Sequence, residues 1–110
     1  MAFSIKGLLG RRGPVVPVVR LSGAIGVGMP FRQGLSLAAV ETPLARAFAM
    51  KAAPAVAILV NSPGGSAVQS HLIYGRIRAL AEEKGKQVVV AVEDAAASGG
   101  YMIALAGDEI

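Results

Sequence analysis

Residues 55–66 read Ala55-Val-Ala-Ile-Leu-Val60 followed by Asn61-Ser62-Pro63-Gly64-Gly65-Ser66. The first half is a continuous apolar run of strand length, the pattern of a strand buried on both faces. The second half is a tight loop. Ser66 and Gln69 stand at capping-box spacing, which predicts a helix from Ala67. Val68, Leu72, Ile73, Ile77 and Leu80 form the apolar stripe of that helix, and Arg76 and Arg78 a solvated face. Lys84-Gly85 ends it, with a cation at the negative end of the helix dipole and glycine just past the end. Gln87 to Val92 is a second buried strand, Ala95 to Gly100 a loop of tiny residues, and Tyr101 to Ala106 a short helix stopped by Gly107.

Upstream, Val15 to Leu21 is rich in β-branched residues, with prolines near its start, where a strand tolerates them. Ser22-Gly23 signals a turn, and Ala24 to Val27 is expected to return as a short strand. Gly26, Gly28, Pro30 and Gly34 make the next stretch a loop. Thr42-Pro43 reads as an N-cap with proline at the first helical position, leading a helix that carries Leu44, Ala47 and Phe48. Strand and helix therefore alternate three times. That order predicts an α/β fold with parallel strands and right-handed crossovers. Residues 1–13 are expected to be a basic N-terminal arm, and residues 14–110 the N-terminal portion of a single, incomplete domain.

Composition narrows the function. The 110 residues include no cysteine and one histidine. This excludes a disulfide scaffold, a thiol nucleophile and a cysteine-held metal, and it argues against a zinc site. A hydrophobic share of 54% excludes a disordered tail. The net charge of +4 is uneven. Lys6, Arg11, Arg12, Arg20 and Arg32 fall in the first 32 residues with no acid among them, whereas the remainder is close to neutral. Five aromatics and no basic face argue against nucleic-acid binding. The arm is expected to be solvated, or to touch an anionic membrane surface. Arg11-Arg12 is not read as an export signal, because Pro14, Pro17 and Arg20 interrupt the short apolar stretch that follows. The longest uncharged run, Ala52 to Gly75, is broken by Asn61 to Ser66 and is not read as a membrane span. The expected location is the cytoplasm, with peripheral contact at the inner membrane as the alternative that the basic arm leaves open.

In parallel α/β sheets, ligands sit beyond the carboxyl ends of the strands. Two loops there carry chemistry. In Asn61 to Ser66, paired glycines let backbone N–H groups point outward ahead of a helix N-terminus, the arrangement of an anion or oxyanion site. No Gly-Lys-Ser/Thr follows, so it is not a Walker phosphate loop. In Asp94-Ala95-Ala96-Ala97-Ser98-Gly99-Gly100-Tyr101, a serine at the mouth of a helix has few neighbours to crowd its hydroxyl. Ala96 stands where the α/β-hydrolase elbow needs glycine. Each loop alone reads more readily as a plain strand-to-helix turn. Together, on successive strands, they pair a nucleophile with an oxyanion hole.

These strings, closed by Ala106-Gly107-Asp108-Glu109-Ile110, resemble the serine peptidase family of signal peptide peptidase A, most nearly its shorter SohB-like members. The resemblance runs from about Val18 to the last residue. It implies a ClpP/crotonase-like superhelix and peptide-bond hydrolysis by a Ser–Lys dyad. Ser98 matches the nucleophile, and the backbone N–H groups of Gly64, Gly65 and Gly99 match the oxyanion hole. It further implies hydrophobic or signal-peptide-like substrates, a homo-oligomer, and no metal or cofactor.

The family's lysine lies well downstream of its nucleophile, and here Lys6, Lys51, Lys84 and Lys86 all precede Ser98. The chain therefore reads as the front portion of a peptidase domain, inactive alone because a serine hydroxyl without a base is a weak nucleophile near neutral pH. A Ser–His–Asp alternative would use His71, one turn into its helix, with Asp94. Against it, a lone helical histidine more often packs or faces solvent, and Asp94 is expected to end its strand and turn the next loop. Tyr101 is expected to pack beside the Ser98 loop. Two further readings remain: a non-catalytic subunit that binds peptides or builds the oligomer, and an acyl-CoA enzyme on a crotonase-like fold.

Overall fold

The computed structural model describes residues 14–26 and 34–110. The N-terminal arm 1–13 and Val27 lie outside them. Three strands, β1 (Val18–Ser22), β2 (Ala55–Ser62) and β3 (Gln87–Ala96), form one sheet in the order β1-β2-β3, with both pairs parallel. Helices α1 (Leu37–Ala49) and α2 (Ala67–Lys84) make the crossovers, and a short α3 (Gly99–Ala104) follows β3. This is the expected α/β alternation.

Each strand is laid on the same side of its predecessor. Right-handed crossovers that step in one direction place their helices on one face of the sheet. That face holds the core. Val19, Leu21, Val56, Ile58, Val60, Val88 and Val90 meet Val40, Leu44 and Phe48 of α1, Ile73, Ile77 and Leu80 of α2, and Ile103 of α3. Each large side chain buried there stabilises the fold by about 1.5–3 kcal/mol. The opposite face is only partly covered, so β2 alternates between half-buried and buried residues. The expectation of strands buried on both faces is corrected: an all-apolar run marks β2, but one-sided helices leave Ala55, Ala57, Leu59 and Asn61 half-buried.

Element boundaries move for identifiable reasons. Helix α1 starts at Leu37, not at Pro43. Ser36 is the N-cap, its Oγ accepting the Ala39 N–H at 3.1 Å, and Pro43 lies inside the helix. An interior proline costs a hydrogen bond and about 3 kcal/mol, offset here by burial of Val40, Leu44, Ala47 and Phe48. Helix α2 begins and ends as expected. Ser66 Oγ accepts the Gln69 N–H, and Gly85 closes the helix at φ 64°, ψ 40°. Gln69 does not complete the capping box; its Oε1 accepts the Leu37 N–H at 2.8 Å and so caps α1 instead.

Two residues of the expected α2 stripe face water, Val68 at 67% and Leu72 at 41% exposure. At about 100° per residue they point roughly 140° and 100° away from Ile73, and Ser70 and Ala81 take the inner face with Ile73, Ile77 and Leu80. The arginines expected to be solvated are tied down. Arg76 Nε donates to Glu41 of α1 at 2.9 Å, and Arg78 donates to the Ala106 carbonyl and the Asp108 carboxylate. Arg20 likewise pairs with Glu93 across the sheet at 3.0 Å. Residues 24–26 do not return beside β1. Ile25 instead makes single parallel bridges to Leu35 and to Gly65.

Candidate active site

Both loops singled out in the sequence leave the carboxyl end of the sheet, and the fold presses them together. A Cβ built on Gly64 would lie 2.7 Å from Ser98 Cβ, 2.9 Å from the Ala97 carbonyl and 3.1 Å from the Gly99 nitrogen. One built on Gly100 would lie 2.7 Å from the Ser62 carbonyl. Only glycine permits backbones to approach so closely.

The strands extend further than their apolar runs. β2 reaches Ser62 and β3 reaches Ala96, with a register shift between them: Val60 faces Val92, whereas Ser62 faces Ala96. β3 therefore carries extra residues at its end, a bulge of the kind that re-aims a strand. Asn61 holds it. Its Nδ2 donates to Asp94 Oδ2 at 3.1 Å, and its Oδ1 accepts the Ala95 N–H at 3.3 Å. Ser62, fully buried, accepts the Ala97 N–H on its carbonyl at 3.0 Å and the Gly64 N–H on its Oγ at 3.1 Å. The expectation that Asp94 ends the strand is corrected: it lies within β3, its carboxylate engaged by Asn61.

Ser98 occupies a strained turn. Its φ of 53° and ψ of −119° are those of the first corner of a type II′ turn, and the Gly100 N–H closes that turn on the Ala97 carbonyl at 2.8 Å. Glycine usually fills this corner. Among the described residues Ser98 is the one non-glycine with positive φ. Its side chain is exposed and makes no capping hydrogen bond to α3. The hydroxyl is thus held out at the junction of the two loops, free to act.

The three expected amide donors are in different states. Gly64 has its N–H engaged by Ser62 Oγ. Gly65 bridges Ile25, whose N–H donates to the Gly64 carbonyl while its carbonyl accepts the Ser66 N–H. In a parallel bridge the residue between those two bonds turns its own N–H the other way. The N–H groups of Gly65 and Gly99 have no acceptor among the described residues. Of the three expected donors two are therefore unoccupied, and they stand beside one exposed hydroxyl.

His71 is exposed and makes no hydrogen bond to Ser98 or Asp94, so the structure does not assemble a Ser–His–Asp triad. Tyr101 is also exposed rather than packed on the loop. The described lysines lie elsewhere. Lys84 pairs with Glu83, and at the start of β3 Lys86 donates to the carbonyl of Met50, the residue that precedes Lys51. Ten residues of strand, about 30 Å, separate that end from the Ser98 turn. Sequence reasoning quoted Asn61 and Ser62 but gave their side chains no role, and it missed Ser70, whose Oγ would lie 2.2 Å from a Cβ on Gly99. No periodic signal marks such loop-to-loop contacts.

Fold and site together define an α/β unit with parallel strands and a serine poised on a glycine-built junction. No family model matches the chain. The whole chain is similar, at 58% identity over 119 aligned residues, to 16% of the Na(+)/H(+) antiporter NhaA of Brucella melitensis. It is 45% identical over 56 residues to the chloroplastic serine protease SPPA of Arabidopsis thaliana, covering 51% of this chain and 8% of that protein. It is 35% identical over 95 residues to Protease 4 of Haemophilus influenzae, covering 86% of this chain and 15% of that protein. The chain thus spans about a sixth or less of the length of these curated relatives. The two partial similarities to serine proteases agree with the resemblance carried by the loops. Nothing among the described residues accounts for the antiporter name, since no helix there is long and apolar enough to cross a membrane.

Proposed function

We propose that this chain carries the nucleophile and the oxyanion donors of a serine peptidase of the signal peptide peptidase A type, on a ClpP/crotonase-like fold. The observation that carries the reading is Ser98 itself, an exposed hydroxyl held at a positive φ against Gly64. Ser98 Oγ attacks the carbonyl carbon of an extended hydrophobic peptide. The N–H groups of Gly65 and Gly99 receive the developing oxyanion, the kind of preorganised donors that lower such a barrier most. The hydroxyl proton passes to a lysine from outside this stretch, then to the departing amine, and water releases the acyl group from Ser98. No metal or cofactor takes part in this sequence, and the working form is a homo-oligomer in the cytoplasm. The test is hydrolysis of hydrophobic peptides by the natural gene product: Ser98→Ala should abolish it, and retained turnover refutes the assignment.

A second reading has its own support. No lysine among the described residues reaches Ser98, and the similarity that spans the whole chain is to a protein with a transporter's name. On this reading the unit binds peptides or joins an oligomer without cutting. Peptide turnover that depends on Ser98 would exclude it.

A further inference from the structure

We infer that Asn61 and Ser62 form a two-residue clamp that sets the position of Ser98 and of the amides beside it; the inference rests on the peptidase reading for its functional consequence, but not for its geometry. The two neighbours divide the work. Asn61, half-buried, grips the β3 bulge through Asp94 Oδ2 and the Ala95 N–H. Ser62, fully buried, grips both loops: its carbonyl holds the Ala97 N–H, one residue before the nucleophile, and its Oγ holds the Gly64 N–H.

The Oγ bond from residue 62 to the N–H of residue 64 is a serine turn. It fixes the peptide plane on the N-terminal side of Gly64, and the next plane, which carries the Gly65 N–H, is held in turn by the Ile25 N–H on the Gly64 carbonyl. The Ala97 bond fixes the first residue of the type II′ turn whose first corner is Ser98. A strained corner persists only where its surroundings over-determine it, and here four hydrogen bonds from two consecutive side chains and one carbonyl supply that constraint. Asn61 and Ser62 are positioning residues: they act on the reacting geometry through Ala97 and Gly64, not by touching substrate.

The test uses the ¹⁵N-labelled natural gene product, which on the peptidase reading carries the lysine, and a trileucine boronic acid. Ser98 Oγ adds to the trigonal boron, its proton passes to solvent, and a tetrahedral boronate with one negative charge forms without a leaving group. Parent, Asn61→Ala, Ser62→Ala and a Ser98→Ala control are compared by boronate titration and by amide hydrogen exchange. In Ser62→Ala the Gly64 amide should exchange at least tenfold faster, and boronate should bind at least tenfold more weakly, with smaller shifts of the Gly65 and Gly99 amide signals. Asn61→Ala should weaken boronate severalfold and speed exchange at Ala95 and Gly100 while leaving Gly64 protected. Parent-like affinity and parent-like Gly65 and Gly99 shifts in both variants would overturn the inference. Should Ser62→Ala fail to fold, Asn61→Ala decides alone, its changed site being half-buried. Should the parent bind no more boronate than Ser98→Ala, the peptidase reading fails. The clamp is then judged by exchange at Gly100 in Asn61→Ala, which reports closure of the Ser98 turn: faster exchange supports it, and unchanged exchange overturns it.

Discussion

Replacing Ser98 by glycine should make the folded chain more stable while removing its candidate nucleophile. Ser98 sits at φ 53°, ψ −119°, a region that costs a residue with a Cβ of order 1–3 kcal/mol. Glycine removes that cost but loses roughly 0.5–1 kcal/mol more conformational entropy on folding. The serine side chain offsets nothing, being exposed and making no cap bond. The balance is a gain of about 1 kcal/mol. Ser98→Ala is the comparator, since it deletes the hydroxyl and keeps the Cβ, and it should match the parent within about 0.5 kcal/mol. Urea unfolding followed by far-ultraviolet circular dichroism measures the difference. With a slope of about 1–1.5 kcal/mol per molar urea, the glycine variant should unfold roughly 0.5–1 M above the alanine one. A midpoint equal to or below that of Ser98→Ala would refute the strain, and with it the idea that the chain keeps serine here at the expense of stability.

Other substitutions probe the same junction and its surroundings. Gly64→Ala would force a Cβ to 2.7 Å from Ser98 Cβ at φ +105°, and should lower stability by about 2 kcal/mol or more, read from the urea midpoint. Gly99→Ala should also destabilise, but its nearest obstacle is Ser70 Oγ at 2.2 Å, a side-chain atom. Ser70→Ala in the same chain should therefore recover part of the loss, with a coupling of about 1 kcal/mol in a double-mutant cycle; strict additivity would refute the contact. His71→Gln should leave both the unfolding midpoint and peptide turnover by the natural gene product unchanged, and a tenfold loss of turnover would revive the triad. Arg78→Ala removes donors to the Ala106 carbonyl and Asp108, which should cost about 1 kcal/mol and speed amide exchange at Val88, whose N–H donates to the same carboxylate.

The order of elements was legible because it depends on local patterns: the apolar run at Ala55–Val60, the Ser66 cap and the Gly85 stop each act within a few residues of chain. What escaped depends on partners distant in sequence. Leu37, not Pro43, opens α1 because Ser36 caps it and Gln69, 32 residues away, takes up its N–H. Arg76 and Arg78 look like a solvated pair until Glu41 and the Ala106 carbonyl arrive beside them. The extension of β3 to Ala96 was hidden because Glu93 and Asp94 break an apolar pattern, and only Arg20 and Asn61 opposite make those carboxylates at home on a strand. Serine and glycines announced the site, yet composition could not say which amide stays free; that turns on Ser62 Oγ reaching Gly64 first.

The glycines at the junction differ in what they make possible, and the difference constrains how the site can vary. At Gly65 the obstacle to a side chain is the Ile25 carbonyl, at Gly100 the Ser62 carbonyl, and at Gly64 the Ala97 carbonyl together with Ser98 Cβ. Backbone cannot be mutated away, so no second substitution relieves those three. At Gly99 the nearest obstacle is a side-chain oxygen, and the next contacts, at 3.2 Å, are side-chain carbons of Ile25 and Ser70. Gly99 is also one of the two expected donors whose N–H has no acceptor among the described residues, and it is the residue that follows Ser98. A side chain at residue 99 can therefore be accommodated by repacking Ser70 without moving the Ser98 turn, whereas one at residue 64, 65 or 100 must part the loops. If the junction is a catalytic one, a Gly99→Ala, Ser70→Ala chain should keep the fold and much of its boronate binding, and a Gly65→Ala chain should lose both in every background tried.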